Sequence, residues 1–223
     1  MQAVAFNHSV FESATPVGAA QVFDGPATLS HDGPGLKMQY GRDEEIFGEG
    51  EAAPHVYRVL SGAVRTYRVL SDGRRQIVEF HTAGDVFGLD GEGRHTLGAE
   101  AIRNTTLAVM RREAFLHEPE YGADAAIKAL LKKFQRAQAH MLLLGRQTAC
   151  ERVASFLLDF RQRGGQPSID LPMSRQDIAD YLGLTIETVS RTFTQLQCSG
   201  LIDLISCRRV VLRNPAALER ICE

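Results

Sequence analysis

The segment from Leu171 to Leu212 constrains the fold of this chain more than any other stretch. Ser174 is suited to cap a first helix, Gly183 permits a tight turn, and Thr185 is suited to cap a second helix. Gly200 is placed to end that second helix, and two short runs of branched residues follow it. The segment therefore predicts a helix–turn–helix followed by a two-stranded wing.

The second of these helices has two opposite faces. Val189, Phe193 and Leu196 are four and three residues apart, so they share one apolar face. The opposite face is polar and consists of four residues with helical spacing: Glu187, Ser190, Arg191 and Thr194. Such a face suits the DNA major groove, because Arg can fork onto guanine, Glu can accept from the cytosine amino group, and small hydroxyls allow close approach.

We therefore predict base contacts from Glu187, Ser190 and Arg191. An i,i+4 salt bridge between Glu187 and Arg191 on a solvated helix remains the alternative. Residues with hydrogen-bond donors at the helix starts and on the wing are predicted to contact phosphates: Ser174, Arg175, Gln176, Thr185, Thr188, Arg208 and Arg209. For the two wing arginines, a solvated hairpin tip is the alternative.

Charge alone does not indicate a nucleic-acid partner. The chain of 223 residues has a formal net charge of −2. Residues 146–223 carry ten basic residues, all of them Arg, against nine acidic residues. The DNA prediction therefore depends on the pattern of residues rather than on electrostatics.

The composition fits a reduced, soluble protein. With 44% hydrophobic and 23% charged residues, it has no apolar run long enough for a membrane span, and its start lacks the pattern of a secretory signal. The four cysteines, Cys150, Cys198, Cys207 and Cys222, show no CxxC pairing, which argues against a zinc ribbon or a disulfide framework. We expect a cytoplasmic protein without a membrane partner. Cys198 and Cys207 flank the DNA-reading helix, so their oxidation is a hypothesis for redox regulation.

Residues 37–120 are predicted to form a β-barrel. Short runs rich in β-branched and aromatic residues alternate with turn signals, including the Asp72-Gly73 pair. Gly50, Gly62, Gly73 and Gly84 recur at intervals of eleven or twelve residues, which is typical of an antiparallel jelly roll. A generic β domain with chance glycines is the alternative. Residues 1–36 lack periodicity and are expected to be a loosely ordered arm.

Residues 121–147 are predicted to form a long amphipathic helix. Its apolar stripe consists of Ile127, Leu130, Leu131, Phe134, Met141 and Leu144, with the small Ala137 between them. The polar residues Lys132, Lys133, Gln135 and Arg136 are expected to face away from the stripe. Such a seam suits pairing with a second copy, although packing on the chain's own barrel is the alternative. Residues 148–223 then form the winged helix-turn-helix domain.

A barrel, a long helix and a C-terminal winged helix-turn-helix, in this order, resemble the CRP/FNR family of bacterial transcription regulators from about Lys37 onward. The most specific match is Ser174-Arg-Gln-Asp-Ile, then Gly183, then Glu187-Thr-Val-Ser-Arg. The resemblance implies an α+β fold with a cyclic-nucleotide-binding-like jelly-roll barrel and a dimerisation helix. In the FNR-type branch Glu-x-x-Ser-Arg reads a TTGAT-type half-site and its inverted repeat, so the resemblance implies a homodimer on palindromic double-stranded DNA.

The resemblance also limits the effectors. Where the cyclic-AMP branch has Arg-Ser to hold the cyclic phosphate, this chain has Leu97 and Gly98, and Arg94 and Arg103 are displaced. We therefore expect no cyclic AMP binding. Because no cysteine precedes Cys150, the iron–sulfur cluster of FNR-type oxygen sensors cannot be held in the barrel, and no cofactor or metal is expected.

What remains is similar to the FixK-like group, which reads DNA in the FNR manner without the cluster. This implies an activator of microaerobic, respiratory or nitrogen-fixation genes that contacts RNA polymerase. A second class is a sensor whose barrel binds an unidentified small molecule or haem, although the seven scattered histidines show no pairing: His8, His31, His55, His81, His95, His117 and His140. An enzyme is not expected, because the barrel lacks clustered ligands such as HxH, and no catalytic residue is assigned.

Overall fold

A computed structural model describes residues 35–91, 93–117, 123–164 and 168–222. The first part of the chain forms eight short strands: β1 (Leu36–Tyr40), β2 (Glu45–Phe47), β3 (His55–Ser61), β4 (Ala63–Val69), β5 (Arg75–Thr82), β6 (Val86–Phe87), β7 (Gly98–Ala101) and β8 (Thr105–Arg111). The arm predicted for residues 1–36 lies outside the described residues, except for the start of β1.

The eight strands form two four-stranded antiparallel sheets, in the orders β1-β8-β3-β6 and β2-β7-β4-β5. Both sheets contribute to one apolar core, in which Tyr57 and Leu107 of the first sheet meet Phe47 and Val64 of the second. Along β3 the residues that point to this core, Tyr57 and Val59, are two positions apart, as expected for the alternation of side chains in a strand. The predicted antiparallel barrel is confirmed.

The turn at Gly62 shows why a glycine is needed between β3 and β4. Its φ is 91°, a backbone conformation that residues with a side chain rarely adopt. A Cβ there would lie 2.4 Å from the Thr105 hydroxyl oxygen and 2.6 Å from its Cα. That hydroxyl donates to the Ala63 carbonyl oxygen at 3.1 Å. Any larger residue would therefore break the contact that joins the turn to β8.

Helix α1 (Arg112–His117) leads to α2 (Ala123–Arg146), which is 24 residues long. Most of the predicted apolar stripe of α2 is exposed: Ile127, Leu130, Leu131, Phe134 and Met141 are 46–66% accessible. The prediction was wrong for Leu144, which packs against the core of the C-terminal domain. Leu142, which was not assigned to the stripe, is instead 69% exposed.

The polar side of α2 does not simply face water. Lys132 Nζ lies 3.2 Å from the Asp85 carboxylate of the barrel, and Arg136 Nη1 lies 2.9 Å from that of Glu79. Most of the apolar stripe therefore does not pack on the chain's own barrel, and its pairing with a second copy stays a prediction. The polar side of the helix is tied to its own barrel, and its apolar side is left exposed.

The C-terminal part consists of four helices and three strands: α3 (Ala149–Gly164), β9 (Ser168–Asp170), α4 (Arg175–Leu182), α5 (Ile186–Cys198), β10 (Ile202–Leu204), β11 (Arg209–Leu212) and α6 (Pro215–Cys222). The helix–turn–helix is confirmed as α4 and α5. The wing was predicted with two strands but has three, because β9 pairs with β11 on the side opposite β10. Strand β9 was not predicted, because three residues carry too little periodicity to identify a strand.

The barrel and the C-terminal domain share a hydrophobic core. Ile77 and Phe80 of β5 are fully or almost fully buried among residues of α3 and α4. The Phe80 ring lies 5.2 Å from that of Tyr181 and 6.2 Å from that of Phe160, centroid to centroid. Aromatic contacts at these distances stabilise the junction beyond simple area burial.

A cluster of charges borders this junction, and we call it the interdomain ion cluster. Its members are Arg65 and Arg75 of the barrel, Glu100 of β7, and Asp177 and Asp180 of α4. Arg65 Nη1 and Arg75 Nη2 both donate to Asp177 Oδ1, at 3.1 and 2.7 Å. Although burial acts to lower the pKa of Arg65, Asp177 and Glu100 raise it overall. The barrel thus holds the first helix of the helix-turn-helix through paired, buried charges.

No helix in the described part of the chain is both long and apolar enough to cross a membrane.

Candidate nucleic-acid interface

Helix α4 begins with a capping box formed by Ser174, the predicted cap, and Asp177. The Ser174 hydroxyl accepts from the Asp177 backbone N–H at 3.1 Å, and the Ser174 backbone N–H donates to the Asp177 carboxylate at 2.9 Å. The same carboxylate accepts from Arg65 and Arg75, so one side chain both caps the helix and joins it to the barrel.

The turn between α4 and α5 depends on Gly183, whose φ of 62° and ψ of 39° are left-handed. Its N–H donates to the Ala179 carbonyl, which satisfies the end of α4. Two residues later Thr185 caps α5 by accepting from the Thr188 N–H at 3.2 Å. Both turn residues have the roles predicted from the sequence, and together they fix the direction in which α5 leaves the turn.

Helix α5 buries one face and exposes the other. Val189, Phe193 and Leu196 are at most 1% accessible and pack in the shared core. The residues predicted to read bases, Glu187, Ser190 and Arg191, are exposed together with Thr194. The structure thus brings the predicted base-contact residues onto one free surface.

Glu187 and Arg191 are not held to each other. In the described part of the chain, no salt bridge within 4.0 Å joins them. Hydrogen bonds from its own backbone N–H and from the Thr185 hydroxyl lower the pKa of Glu187, and the nearby charge of Arg191 lowers it further. Glu187 is therefore an ionised acceptor at neutral pH, and the Arg191 guanidinium remains available to another partner.

Arg175 at the start of α4 is positioned by a side chain of α5. Its guanidinium lies 3.3 Å from the centre of the Phe193 ring, a cation–π contact. Its Nη1 is buried and has no hydrogen-bond partner among the described residues. Burial lowers the pKa of Arg175 to about 10, and Cys207 opposes that shift. A half-buried cation without a carboxylate partner is suited to an external anion.

The remaining residues predicted to contact phosphates fall into two groups. Thr185 and Thr188 lie at the start of α5, with their hydroxyl oxygens 3.1 Å apart. Ser174, Gln176 and Arg208 surround one pocket of about 200 Å³, so the structure brings the wing to the start of α4. The Ser174 hydroxyl is already engaged, since it donates to Asp177 at 2.8 Å.

The wing tip lies between β10 and β11. Arg209 is exposed and Arg208 is half-buried, and their N–H groups both lie within 3.3 Å of the Ser206 hydroxyl oxygen. Cys207 at the tip and Cys198 at the end of α5 are exposed free thiols. The tip is therefore an ordered turn that presents a cation and a thiol to solvent.

The interior of the barrel is filled by rings. Phe47 stacks on His95 at 3.5 Å, and Tyr57 stacks on Phe87 at 5.2 Å, centroid to centroid. Both Arg94 and Arg103 are used elsewhere: Arg94 donates to the Gly50 carbonyl oxygen at 2.7 Å. Arg103 lies 3.3 Å from the Asp170 carboxylate and is 45% exposed. Neither arginine supplies a charge partner for an anion inside the barrel.

The described histidines make separate local contacts. His95 Nδ1 lies 2.9 Å from the Asp90 carboxylate, and His81 Nε2 lies 3.2 Å from the Thr66 hydroxyl oxygen. His117 Nδ1 lies 2.7 Å from the Glu113 carbonyl oxygen, and His140 Nε2 donates to the Tyr181 carbonyl oxygen at 2.9 Å. His8 and His31 lie outside the described residues. Among the described residues no three His, Cys, Asp or Glu are grouped as a metal site would require.

The residues that join the helix-turn-helix to the rest of the chain were not predicted from the sequence. Arg65 and Arg75 are more than 100 positions from Asp177, and His140 is 41 positions from Tyr181. No local pattern signals such pairs. The one general signal is that a buried carboxylate, such as that of Asp177, needs a cation or hydrogen-bond donors nearby.

Comparison with known families agrees with both halves of the fold. The family model described as a Crp-like helix-turn-helix domain matches residues 151–221. The model described as a cyclic nucleotide-binding domain matches residues 37–118. The first match spans α3 to α6, and the second spans the barrel.

Two relatives cover three quarters or more of the chain. The "Nitrogen fixation regulation protein FixK" of Rhizobium meliloti is 46% identical over 199 residues, which is 89% of this chain and 92% of that protein. The "Transcriptional activatory protein AadR" of Rhodopseudomonas palustris is 42% identical over 75% of this chain and 74% of that protein.

A solved structure shows the same architecture. FixK2 from Bradyrhizobium japonicum is 46% identical, with a TM-score of 0.79 over 84% of this chain and 97% of that chain. These relatives are named as transcription regulators rather than enzymes. The chain therefore belongs to the CRP/FNR family of transcription regulators and to its FixK-like group, with a cyclic-nucleotide-binding-type barrel and a Crp-like helix-turn-helix.

Proposed function

We propose that this protein is a homodimeric activator that binds a palindromic TTGAT-type site through α5, without cyclic AMP or an iron–sulfur cluster. The observation that carries the proposal is the exposed polar face of α5. Its apolar face is fully used inside the chain, so Glu187, Ser190 and Arg191 are free for an external partner. Arg191 is assigned to guanine O6 and N7, and Glu187 to the cytosine amino group.

The phosphate contacts are proposed around this face. Arg175 is the strongest of them, because its half-buried guanidinium has no carboxylate partner among the described residues. Gln176, Thr185 and Thr188 present polar groups at the starts of α4 and α5, where helix N-termini favour anions. Ser174, Arg208 and Arg209 complete the set.

The homodimer is proposed from the exposed apolar side of α2. Leu131 and Phe134 are 56 and 60% exposed, and Met141 is 66% exposed, on a helix of 24 residues. A contiguous apolar stripe of this length is costly to leave in water, and a second copy of the same helix covers it with matching spacing. Two subunits present two α5 helices roughly 34 Å apart, one DNA turn, which requires an inverted repeat.

Selection of bound duplexes from a random pool tests this function most completely. The expected result is enrichment of TTGAT-type half-sites in inverted repeat at one fixed spacing. Enrichment of direct repeats, of single half-sites or of no sequence would contradict the proposal. The Arg191→Ala variant, which keeps the fold because Arg191 is exposed, serves as the control for α5-dependent selection.

Independence from cyclic AMP is proposed because Leu97 and Gly98 occupy the positions where a charge partner is needed. Gly98 is buried against Tyr67, whose ring carbon lies 3.2 Å from the position of an added Cβ. Thermal-shift measurements with cyclic nucleotides and haem are expected to show no change in melting temperature. A concentration-dependent rise with any of them would favour the alternative, a sensor with a ligand in its barrel.

The regulated genes are proposed by likeness to FixK, the "Nitrogen fixation regulation protein". We infer control of microaerobic, respiratory or nitrogen-fixation genes by a cytoplasmic protein that contacts RNA polymerase. Transcription in vitro from a promoter that carries the selected site tests this. Activation by the wild type and none by Arg191→Ala is the expected result.

Redox control through Cys198 and Cys207 is also proposed. Both thiols are exposed beside the reading surface, and Cys207 lies close enough to Arg175 to affect its pKa. Oxidation would add charge near the phosphates and weaken binding. Peroxide is expected to reduce operator affinity in the wild type and less in Cys198→Ser or Cys207→Ser. Unchanged affinity in the oxidised wild type would remove the hypothesis.

A further inference from the structure

A cleft of about 730 Å³ opens between the tip of the β4–β5 hairpin and the helix-turn-helix. Four residues of the hairpin form its barrel wall: Leu70, Arg74, Arg75 and Gln76. The opposite wall comes from α4, the turn and the start of α5: Gln176, Ala179, Asp180, Gly183, Leu184, Thr185, Ile186, Glu187 and Thr188. We call this space the hairpin cleft.

The hairpin cleft is continuous with the proposed phosphate-binding surface. Gln176, Thr185 and Thr188, which the sequence assigns to phosphates, all lie on its wall. A DNA strand that contacts these three residues must pass along the cleft. Because the hairpin forms the other wall, the same strand passes beside the barrel.

The two arginines of the hairpin differ in what holds them. Arg75 is fixed between Asp177 and Asp180 at 2.7 and 2.9 Å, as part of the interdomain ion cluster. Arg74 is 79% exposed, and its salt bridge is to Asp72 in the same turn, at 2.7 Å. Exposed pairs of this kind are weak because water and salt screen them. Arg74 is therefore the cation that can turn to a phosphate.

A small-molecule ligand fits the cleft less well than a strand of nucleic acid. Pockets for such ligands are enclosed and mostly apolar. The hairpin cleft is open to solvent and is lined mainly by charged and polar side chains, among them the cation of Arg74 and the carboxylates of Asp180 and Glu187. Gln76 and Gln176 already donate within the chain, to backbone carbonyl oxygens and to Asp180. The exposed Arg74 guanidinium is therefore the group of the cleft best suited to a phosphate of a sugar–phosphate backbone.

We propose that the β4–β5 hairpin is a part of the DNA-binding surface and that Arg74 contacts a backbone phosphate of the strand seated in the hairpin cleft. The inference rests on the proposed function, since it requires α5 to enter the major groove. The barrel then contributes to DNA affinity directly rather than only through the position of the helix-turn-helix.

The test compares Arg74→Gln with wild type on a duplex that carries the TTGAT half-site and its inverted repeat. Arg74→Gln is expected to bind about tenfold more weakly at low salt, with a slope of log affinity against log salt shallower by about one per protomer. Preference for the site over a scrambled duplex stays unchanged, because a phosphate contact carries no sequence information. Arg94→Gln removes the same charge from an exposed barrel position outside the cleft and is expected to match wild type.

Neutral methylphosphonates placed at each phosphate in turn locate the contact. One position on each half-site is expected to weaken wild-type binding but to have no further effect on Arg74→Gln. Asp72→Asn releases Arg74 from its partner and removes a negative charge, so it is expected to bind DNA more tightly than wild type.

Two results would overturn the inference while leaving the proposed function intact. In the first, wild type prefers the inverted repeat and Arg74→Gln behaves like Arg94→Gln. In the second, Arg74→Gln binds more tightly, which would show that the hairpin obstructs DNA. If wild type had no preference for the inverted repeat, the proposed function would fail. The role of Arg74 would still be overturned separately if Arg74→Gln and wild type showed the same salt dependence on any duplex.

Discussion

Helices α2 and α5 are both amphipathic, but they contact the rest of the chain with opposite sides. In α5 the apolar residues Val189 and Phe193 are buried within the chain, and the polar side faces solvent. In α2 the polar residues Lys132 and Arg136 are paired with the barrel, and the apolar side, including Phe134, faces solvent. We propose that the exposed side of each helix meets an external partner, which is the polar edges of bases for α5 and the same helix of a second copy for α2.

The largest effect is expected from placing a charge on the exposed side of α2. Phe134→Glu puts a carboxylate into the proposed subunit interface, where burying an unpaired charge is prohibitive. The variant is expected to be monomeric and to bind the inverted repeat roughly 100-fold more weakly or worse, because the gain from two linked half-sites is lost. Sedimentation and anisotropy titrations measure the two effects.

Gln135→Glu is the matched control, since it adds the same charge at an exposed neighbouring position of α2 outside the apolar stripe. It is expected to remain dimeric. If Gln135→Glu were monomeric, or if Phe134→Glu were dimeric with full DNA affinity, the proposed role of the apolar side of α2 in dimerisation would be contradicted.

The next effect concerns the attachment of α4, and with it α5, to the barrel. Asp177→Asn removes the carboxylate that pairs with Arg65 and Arg75, and both Asp177 and Arg65 have side chains that are at most 7% exposed. Leaving a buried guanidinium short of a partner is expected to lower the free energy of unfolding by about 3 kcal/mol. Urea denaturation measures the loss.

Asp180→Asn provides the comparison, because Asp180 pairs with Arg75 and leaves the Arg65–Asp177 pair intact. It is expected to destabilise the protein clearly less. Equal losses in the two variants would mean that the buried pair contributes nothing beyond an ordinary ion pair at the domain boundary.

The smallest effect is expected where α2 and α4 touch. Burial lowers the pKa of His140, whose ring stacks on Tyr181 at 4.1 Å and donates to its carbonyl oxygen. The folded state therefore prefers neutral His140, and stability falls as the pH drops below the unfolded value of about 6.5. Urea unfolding of His140→Gln, which keeps a donor, is expected to show a shallower loss between pH 7 and 5.

Burial also lowers the pKa of His81, so part of the slope should remain in His140→Gln. A slope identical to that of wild type would show that His140 is not held neutral at this contact.

The helix caps, the turn and the two faces of α5 could be predicted from the sequence, because residues close together in the chain determine them. The caps at Ser174 and Thr185, the left-handed Gly183 and the two faces of α5 each follow from residues within one or two turns. The exposed stripe of α2 followed from spacing in the same way, except at Leu144. That residue fits the stripe by period, but the C-terminal domain folds back onto the end of the helix and buries it.

What could not be predicted depends on contacts between distant parts of the chain. The interdomain ion cluster joins β4 and β5 to α4, and the hairpin cleft exists only because that junction brings the hairpin to the start of α5. The short strand β9 is likewise defined by pairing with β11 rather than by its own residues. Periodicity describes single elements, and these features belong to pairs of elements.

The most direct test of the central claim is a double-mutant cycle between Arg191 and the guanine of the TTGAT half-site. Replacing that guanine with 7-deazaguanine removes the N7 acceptor, and Arg191→Ala removes the donor. Each change alone is expected to weaken binding by about 1–3 kcal/mol per half-site, which is roughly five- to 150-fold. The two changes together are expected to weaken binding no further than Arg191→Ala alone. Additive losses, or full affinity and selectivity in Arg191→Ala, would contradict the assignment of α5 to base recognition.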